Sequence, residues 1–205
     1  MAEEREINLI NDADLIKQAQ NGRSTAFKAL VDRHKEKLYY LCLDLTGKHH
    51  DAEDLSQDVF IKAYKNLSQF RGDAQFSSWL YRIAVNTHLN QRRKKSVTAM
   101  HSSEKMDVIH WEGYDTAAAE NPEARAQAGL IQQHLDEALE NLSAKERCVF
   151  VLRHYDDFPL KEIAQIMDVS EGTVKSTLFR GIKKLQRSLS FYKQDLGLET
   201  DHARL

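Results

Sequence analysis

Between Pro159 and Arg180 the chain reads PLKEIAQIMDVSEGTVKSTLFR. Pro159 suits a first helical position, where its missing N–H costs nothing. Ile163, Ala164 and Met167 then recur at helical spacing and make the inner face of a short helix. Asp168-Val169-Ser170 breaks the pattern, and Ser170 can cap a second helix. Small Ala164 lets the two helices approach closely, while Val169, Val174 and Leu178 fill the corner between them. Asp168 stands where such turns commonly carry glycine. The pattern predicts a helix-turn-helix, whose second helix enters a DNA major groove. On that helix Thr173, Lys175, Ser176, Phe179, Arg180 and Lys183 are the candidates to meet DNA, with the cations suited to phosphates or guanine edges.

Working outward, Leu135, Ala138, Leu139 and Leu142 line a preceding helix. Ser143 and Glu146 form the S-x-x-E pattern of a capping box opening another. Upstream of 128 the apolar periodicity vanishes: residues 97–127 hold 2 basic and 6 acidic side chains and read as an acidic, extended linker. Before it come four more predicted helices. Asp12 opens a short one that ends at Asn21-Gly22, and Ser24 opens a longer one ending at Thr46-Gly47. A third runs from about Asp51 to Asn66 with a stripe of Leu55, Val59, Ala63 and Leu67. A fourth, capped by Ser77 or Ser78, continues to about Lys95, with Leu80, Ile83, Ala84 and Thr87 inward. The expected architecture is all-α: two small helical domains, 1–96 and 128–192, joined by the linker 97–127 and followed by a tail, 193–205.

Composition agrees. The 205 residues include only 8 Gly and 2 Pro, too few punctuators for a turn-rich β protein. No stretch approaches the roughly 18 apolar residues of a bilayer span. The acidic start, Met-Ala-Glu-Glu-Arg-Glu, is unlike a secretory signal, so a cytoplasmic location is expected. Cys42 and Cys148 lie in separate apolar patterns without a C-x-x-C partner and read as small buried hydrophobes.

The net charge of -2 conceals a partition. Residues 1–96 carry net +3, the linker -4 and residues 128–205 -1. No acid occurs between Asp73 and Glu104, a window holding Arg82, Arg92, Arg93, Lys94 and Lys95. A second acid-free block runs from Lys175 to Arg187. Two such blocks point to nucleic acid.

Three motifs carry a family resemblance: DAEDLSQDVFIKAY from Asp51, FRGD from Phe70, and WLYRIAVN ending at Asn86. With the helix-turn-helix after them, the chain resembles the bacterial sigma-70 family, specifically its extracytoplasmic-function members, over roughly residues 10–96 and 128–190. The resemblance implies an RNA polymerase sigma factor that binds core polymerase and directs promoter recognition, DNA melting and initiation. Residues 1–96 correspond to region 2 and 128–192 to region 4. It implies that Asp54, Gln57, Asp58, Ile61 and Lys62, opposite the apolar stripe, bind core polymerase. Phe70, Gln75 and Asn86 would capture a flipped base of the -10 element, an aromatic and two amides being apt for a single strand. Trp79, Arg82, Asn90 and Arg93 would hold the melted strand and upstream backbone. The helix-turn-helix would read the -35 element, and the acidic linker would thread the polymerase RNA channel. The resemblance also implies an anti-sigma factor clamping both domains, often from a membrane-anchored tail. No enzymatic activity, cofactor, metal or small-molecule substrate follows from it.

Two rivals remain at this stage. A free-standing helix-turn-helix regulator accounts for 159–187 but gives the 51–66 face no job. A metal phosphohydrolase built on His49-His50-Asp51, Glu53, Asp54 and His34 needs about four to six converging donors, which one helix start does not supply.

Overall fold

The computed structural model describes residues 10–99 and 122–192. All regular structure among them is helical: α1 (Asp12–Gln20), α2 (Ser24–Thr46), α3 (His49–Asn66), α4 (Phe76–Ala99), α5 (Pro122–Glu140), α6 (Ala144–His154), α7 (Leu160–Met167) and α8 (Glu171–Ser188), with a 3-10 turn at Leu67–Gln69. None is long and apolar enough to cross a membrane.

Helices α1–α4 form the first unit. Ala52, Leu55, Val59 and Ala63 are wholly buried along α3, on Leu30, Leu38 and Leu41 of α2 and Leu80, Ala84 and Val85 of α4. Truncating a side chain such as Leu55 to alanine costs about 2–5 kcal/mol in so closed a site. Gly47, at φ 74, ends α2 in the left-handed conformation that glycine adopts without steric cost, its N–H reaching the Leu43 carbonyl. In the second unit α6, α7 and the end of α5 pack around α8.

Helix starts depart from the sequence reading by one or two residues. Asn11, not Asp12, caps α1, its side chain accepting the Asp14 N–H at 2.9 Å. Asp12 is spent on tertiary contacts instead, with Arg33 at 2.8 Å and His34 at 2.7 Å. Ser24 is the first residue of α2, and the cap position falls on Arg23, which makes no side-chain cap bond. Helix α3 begins at His49, which leaves Asp51 in the first turn, where a carboxylate favours the dipole, and not at the cap. Helix α4 begins at Phe76, ahead of Ser77 and Ser78. The Phe76 ring is buried against Phe70, Trp79 and His34, and that burial fixes the entry. Pro159 caps α7 from outside the helix. The Ser143–Glu146 capping box forms as expected, with bonds of 3.3 and 2.9 Å.

Helix also reaches into both ends of the segment read as linker, to Ala99 and from Pro122. The expectation of an extended chain over 100–121 lies outside the described residues, as does the tail beyond Tyr192. Both cysteines are free and buried, and burial pushes each thiol up to about 12. Contact between the two units was not expected from the sequence. Helices α2 and α4 rest on α6, and α4 on α7, so one apolar cluster runs from Leu15 through Val85 to Cys148, Leu152 and Ile163.

Candidate nucleic-acid interface

The helix-turn-helix is built as its residues dictate. Asp168 takes the left-handed conformation, φ 54 and ψ 50, that the turn demands; aspartate tolerates it better than a branched residue. The N–H of Val169 returns to the Ala164 carbonyl at 3.0 Å, and Ser170 accepts the Thr173 N–H at 3.2 Å. Val174, Thr177, Gly181 and Leu185 face inward along α8. Thr173, Lys175, Ser176, Phe179, Arg180 and Lys183 all face solvent. Phe179 is 60% exposed, with the Lys183 ammonium 4.7 Å from its ring centroid. An exposed aromatic on a recognition helix is suited to a thymine methyl.

Beneath this surface lies a residue that sequence reading placed only as a cap. Glu146, 5% exposed, accepts a 2.7 Å bond from Lys184 and stands 3.9 Å from the Arg180 guanidinium. Burial would raise its carboxyl, but the hydrogen bonds from Lys184 and Ser143 prevail and hold it below the ordinary value. Arg180 also donates to the Thr177 hydroxyl at 3.2 Å. The S-x-x-E pattern announced the cap; nothing in it announced an ion partner 38 residues away.

On the first unit Gln75, Arg82, Asn86, Asn90 and Arg93 are exposed. The last four follow helical spacing along one face of α4. Trp79 is half-buried. Phe70 is placed differently: it is buried, its ring 5.8 Å from Phe76 and 5.1 Å from Trp79. Its carbonyl accepts a 2.9 Å bond from Gln20, anchoring the loop to α1. In this conformation Phe70 offers no free face to a base. Behind α4, burial lowers His88 to about 4, with the cations Arg92, Arg147 and Lys95 acting in the same sense.

The α3 face presents Asp54, Gln57, Asp58, Ile61 and Lys62 to solvent. Ile61 is 52% exposed, and Tyr64 beside it, which the sequence reading passed over, is 55% exposed. Lys62 is tethered, donating to the Thr87 hydroxyl at 2.8 Å. The histidines suggested for a metal are dispersed. His34 meets Asp12, His49 shares a 2.6 Å bond with Tyr39, and His50 lies 3.7 Å from Asp54. Among the described residues no group of three or more His, Cys, Asp or Glu could hold a metal ion.

A recognition helix on one unit and an acid-free basic helix face on the other define a two-part DNA-binding protein. Comparison with known families makes this specific. Sigma-70 region 2 matches residues 30–98, and sigma-70 region 4 matches residues 132–185. The ECF RNA polymerase sigma factor SigW of Bacillus subtilis is 35% identical over 176 residues, 85% of this chain and 94% of that protein. Among solved structures, the sigma factor RpoE of Bartonella quintana, in complex with the anti-sigma factor NepR, superposes with a TM-score of 0.59 at 26% identity, over 80% of this chain and 96% of its own. CnrH, in complex with the cytosolic domain of CnrY, gives 0.60 at 25% identity over 87% and 97%. The chain belongs to the sigma-70 family and is an ECF RNA polymerase sigma factor directing promoter recognition. Its work is binding rather than catalysis, and a free-standing regulator is set aside.

Proposed function

We propose that the three faces divide the labour of initiation. The α3 face, from Asp54 to Lys62 with Tyr64, docks core polymerase. Acidic side chains around an exposed isoleucine and tyrosine suit a partner surface that is basic with an apolar centre. The α4 face engages the -10 element: Gln75 and Asn86 read a base edge, while Arg82, Asn90 and Arg93 hold backbone phosphates. Phe70 serves by fixing the loop through its packing on Phe76 and Trp79, and half-buried Trp79 offers the aromatic edge nearest the strand. Thr173, Lys175, Ser176, Phe179, Arg180 and Lys183 enter the -35 major groove.

The observation that carries this reading is the presence of two acid-free basic helix faces on separate units, one of them a capped recognition helix. Opening the -10 element costs a few kcal/mol of unstacking, which free protein has little means to offset. Core polymerase therefore supplies most of the affinity. The two solved relatives are bound to anti-sigma partners, and a partner of that kind, contacting both domains, restrains this protein in the cytoplasm.

The test is selection and sequencing of promoter DNA by the protein with core polymerase, with mobility shifts of protein alone, core alone and both together. Enrichment of paired -35 and -10 sequences only when both are present is the expected result. Tight specific binding by the protein alone, unaffected by core, would overturn it.

A further inference from the structure

A cavity of about 430 Å³ opens between α2, α4 and the corner that joins α6 to α7. Its size falls in the range of small-molecule sites, about 300–1,000 Å³. Tyr40 and Asp44 line it from α2, Tyr81 from α4, and Tyr155, Asp156 and Phe158 from the corner. Tyr40 and Tyr155 reach water, 46% and 37% exposed, while Asp44 and Tyr81 are buried. The corner is held firmly. The Phe158 N–H donates to the Leu152 carbonyl at 2.9 Å, and Arg153 donates to the Phe158 carbonyl at 3.2 Å. The Tyr81 ring packs 5.5 Å from that of Phe158, and its hydroxyl bonds the Asp156 carboxylate. One Asp156 oxygen is nevertheless buried without a hydrogen-bond partner among the described residues.

Four aromatic rings and two carboxylates around one cavity select what fits it. Aromatic faces attract a cation, most strongly where water is excluded. Carboxylates accept N–H donors and are costly to bury without a counter-charge. Lys37, the cation on the lining, is exposed. An anion would meet two carboxylates against that one ammonium. A divalent metal ion needs about six oxygen donors, and no group of three or more His, Cys, Asp or Glu among the described residues could hold one. We propose that the cavity is a binding site for a small organic cation of the alkylammonium class. Its charge sits with Asp44 and Asp156, and its apolar body lies among Tyr40, Tyr81, Tyr155 and Phe158. The site uses none of the residues assigned above to DNA or to polymerase.

The electrostatics of the cavity agree with a cationic occupant. Burial raises Asp44 to about 7, with Asp156 and Asp136 adding to the shift and Arg147 opposing it. Arg147 spends its Nε on the Asp44 main-chain carbonyl, at 2.8 Å. Burial raises Asp156 to about 6, with Asp157 adding and the bond from Tyr81 opposing. Burial also holds the Tyr81 phenol well above its ordinary value, so its hydroxyl stays neutral. An ammonium placed beside the two carboxylates favours their charged forms. Binding therefore releases protons, and affinity rises with pH through about 6 to 7. Lys37 opposes the charge of the occupant throughout that range. Because the walls come from both units, the occupant stabilises the contact between them.

The test is a titration of the full chain with n-butylamine, n-butanol and sodium butyrate, followed by the amide shifts of its nitrogen-15 NMR spectrum. The three probes share one apolar body and differ in charge. Saturable shifts around Tyr40, Asp44, Tyr81 and Asp156 are expected with butylamine, and much weaker ones with butanol and butyrate. Asp156→Asn should weaken butylamine about tenfold or more, as the loss of a charge-assisted hydrogen bond does. Tyr40→Leu should weaken it about threefold. Lys37→Gln should tighten it about twofold, whereas an anion site would weaken on that change. Affinity should rise with pH through about 6 to 7, and less steeply in Asp156→Asn. Circular dichroism must show the variants as helical as the parent. Positions 37 and 40 are exposed, so those two variants decide the matter if Asp156→Asn loses helix. Absence of saturable butylamine binding, butyrate binding as tightly, or an affinity unchanged in Tyr40→Leu and Lys37→Gln overturns the site.

Discussion

Replacing Glu146 tests whether the second unit is held by the carboxylate beneath its recognition helix. The side chain closes a capping box with Ser143 at 2.9 Å and accepts Lys184 at 2.7 Å. Losing the cap costs about 1 kcal/mol. The Lys184 pair adds about 0.5–1 kcal/mol and no more, because the lysine is 44% exposed and water screens it. Glu146→Ala should therefore cost about 2 kcal/mol, since alanine retains the Cβ that packs on Gly181. Glu146→Gln keeps an oxygen for the Ser143 N–H and loses only the charge, so it should cost about 1 kcal/mol or less.

Urea unfolding followed by helical circular dichroism measures both. The pH dependence sharpens the test. The carboxyl lies below its ordinary 4.5 in the folded protein, so its stabilisation is present above that pH and disappears as pH falls through the folded value. The gap between parent and Glu146→Gln should close as the pH falls through the carboxyl's lowered folded value. Equal losses in Glu146→Ala and Glu146→Gln at neutral pH would show that charge dominates and the cap is incidental. A loss below about 0.5 kcal/mol for alanine would refute the argument outright.

Three further outcomes follow from the same geometry. Gly181→Ala should stabilise by about 0.5–1 kcal/mol, because a Cβ there meets Glu146 at an ordinary 3.6 Å and alanine relieves the backbone entropy of a helical glycine; a lowered urea midpoint would mean that α6 and α8 pack more tightly than this. Asp58→Lys, on the exposed side of α3, should leave stability within about 0.5 kcal/mol while sharply reducing core-polymerase binding in a pull-down. Unimpaired holoenzyme would show that face to be plain solvent exposure. Arg180→Ala should weaken initiation on promoters that depend on the -35 element by about 1–3 kcal/mol with core binding unchanged, and equal loss of core binding would point to misfolding.

What could be read from the sequence was local. The α3 stripe, the inner face of α7, the Ser170 cap and the Ser143 box are periodicities or spacings of three to four residues, and each reappears in the fold. Exposure of the α3 and α8 candidates followed from the same arithmetic, since a residue opposite an apolar stripe faces away from the core. Phe70 shows where this ends. It stands in a loop with no period to constrain it, and only the placement of Phe76 and Trp79 reveals that its ring is enclosed. Arg147 is the stronger case. Within its helix it reads as one more charged residue following a capping box, yet it is buried against a carbonyl 103 residues earlier. The helix starts slipped for a related reason: Asp12 and Phe76 were drawn into tertiary contacts that outweigh a cap.

The charge layout acquires a different meaning once the structure is laid over it. Counted along the chain, α8 offers Lys175, Arg180, Lys183, Lys184 and Arg187 to a polyanion. Glu146 takes Lys184 at 2.7 Å and draws on Arg180 from below, so part of that charge is already neutralised before DNA arrives. On the first unit Lys62 is tied to Thr87, Lys95 lies 3.8 Å from Asp51, and Arg82 is turned toward Asp168. Counterion release scales with the number of phosphates newly neutralised, and each cation that must first leave a protein carboxylate contributes less. The chain is thus poorly equipped to hold duplex DNA by charge alone, and two weak readers gain most when their separation is fixed by a third body. On the assignment proposed above, specificity sits in a few contacts such as Arg180 and Phe179, while the polymerase lends affinity and withdraws it when the two part.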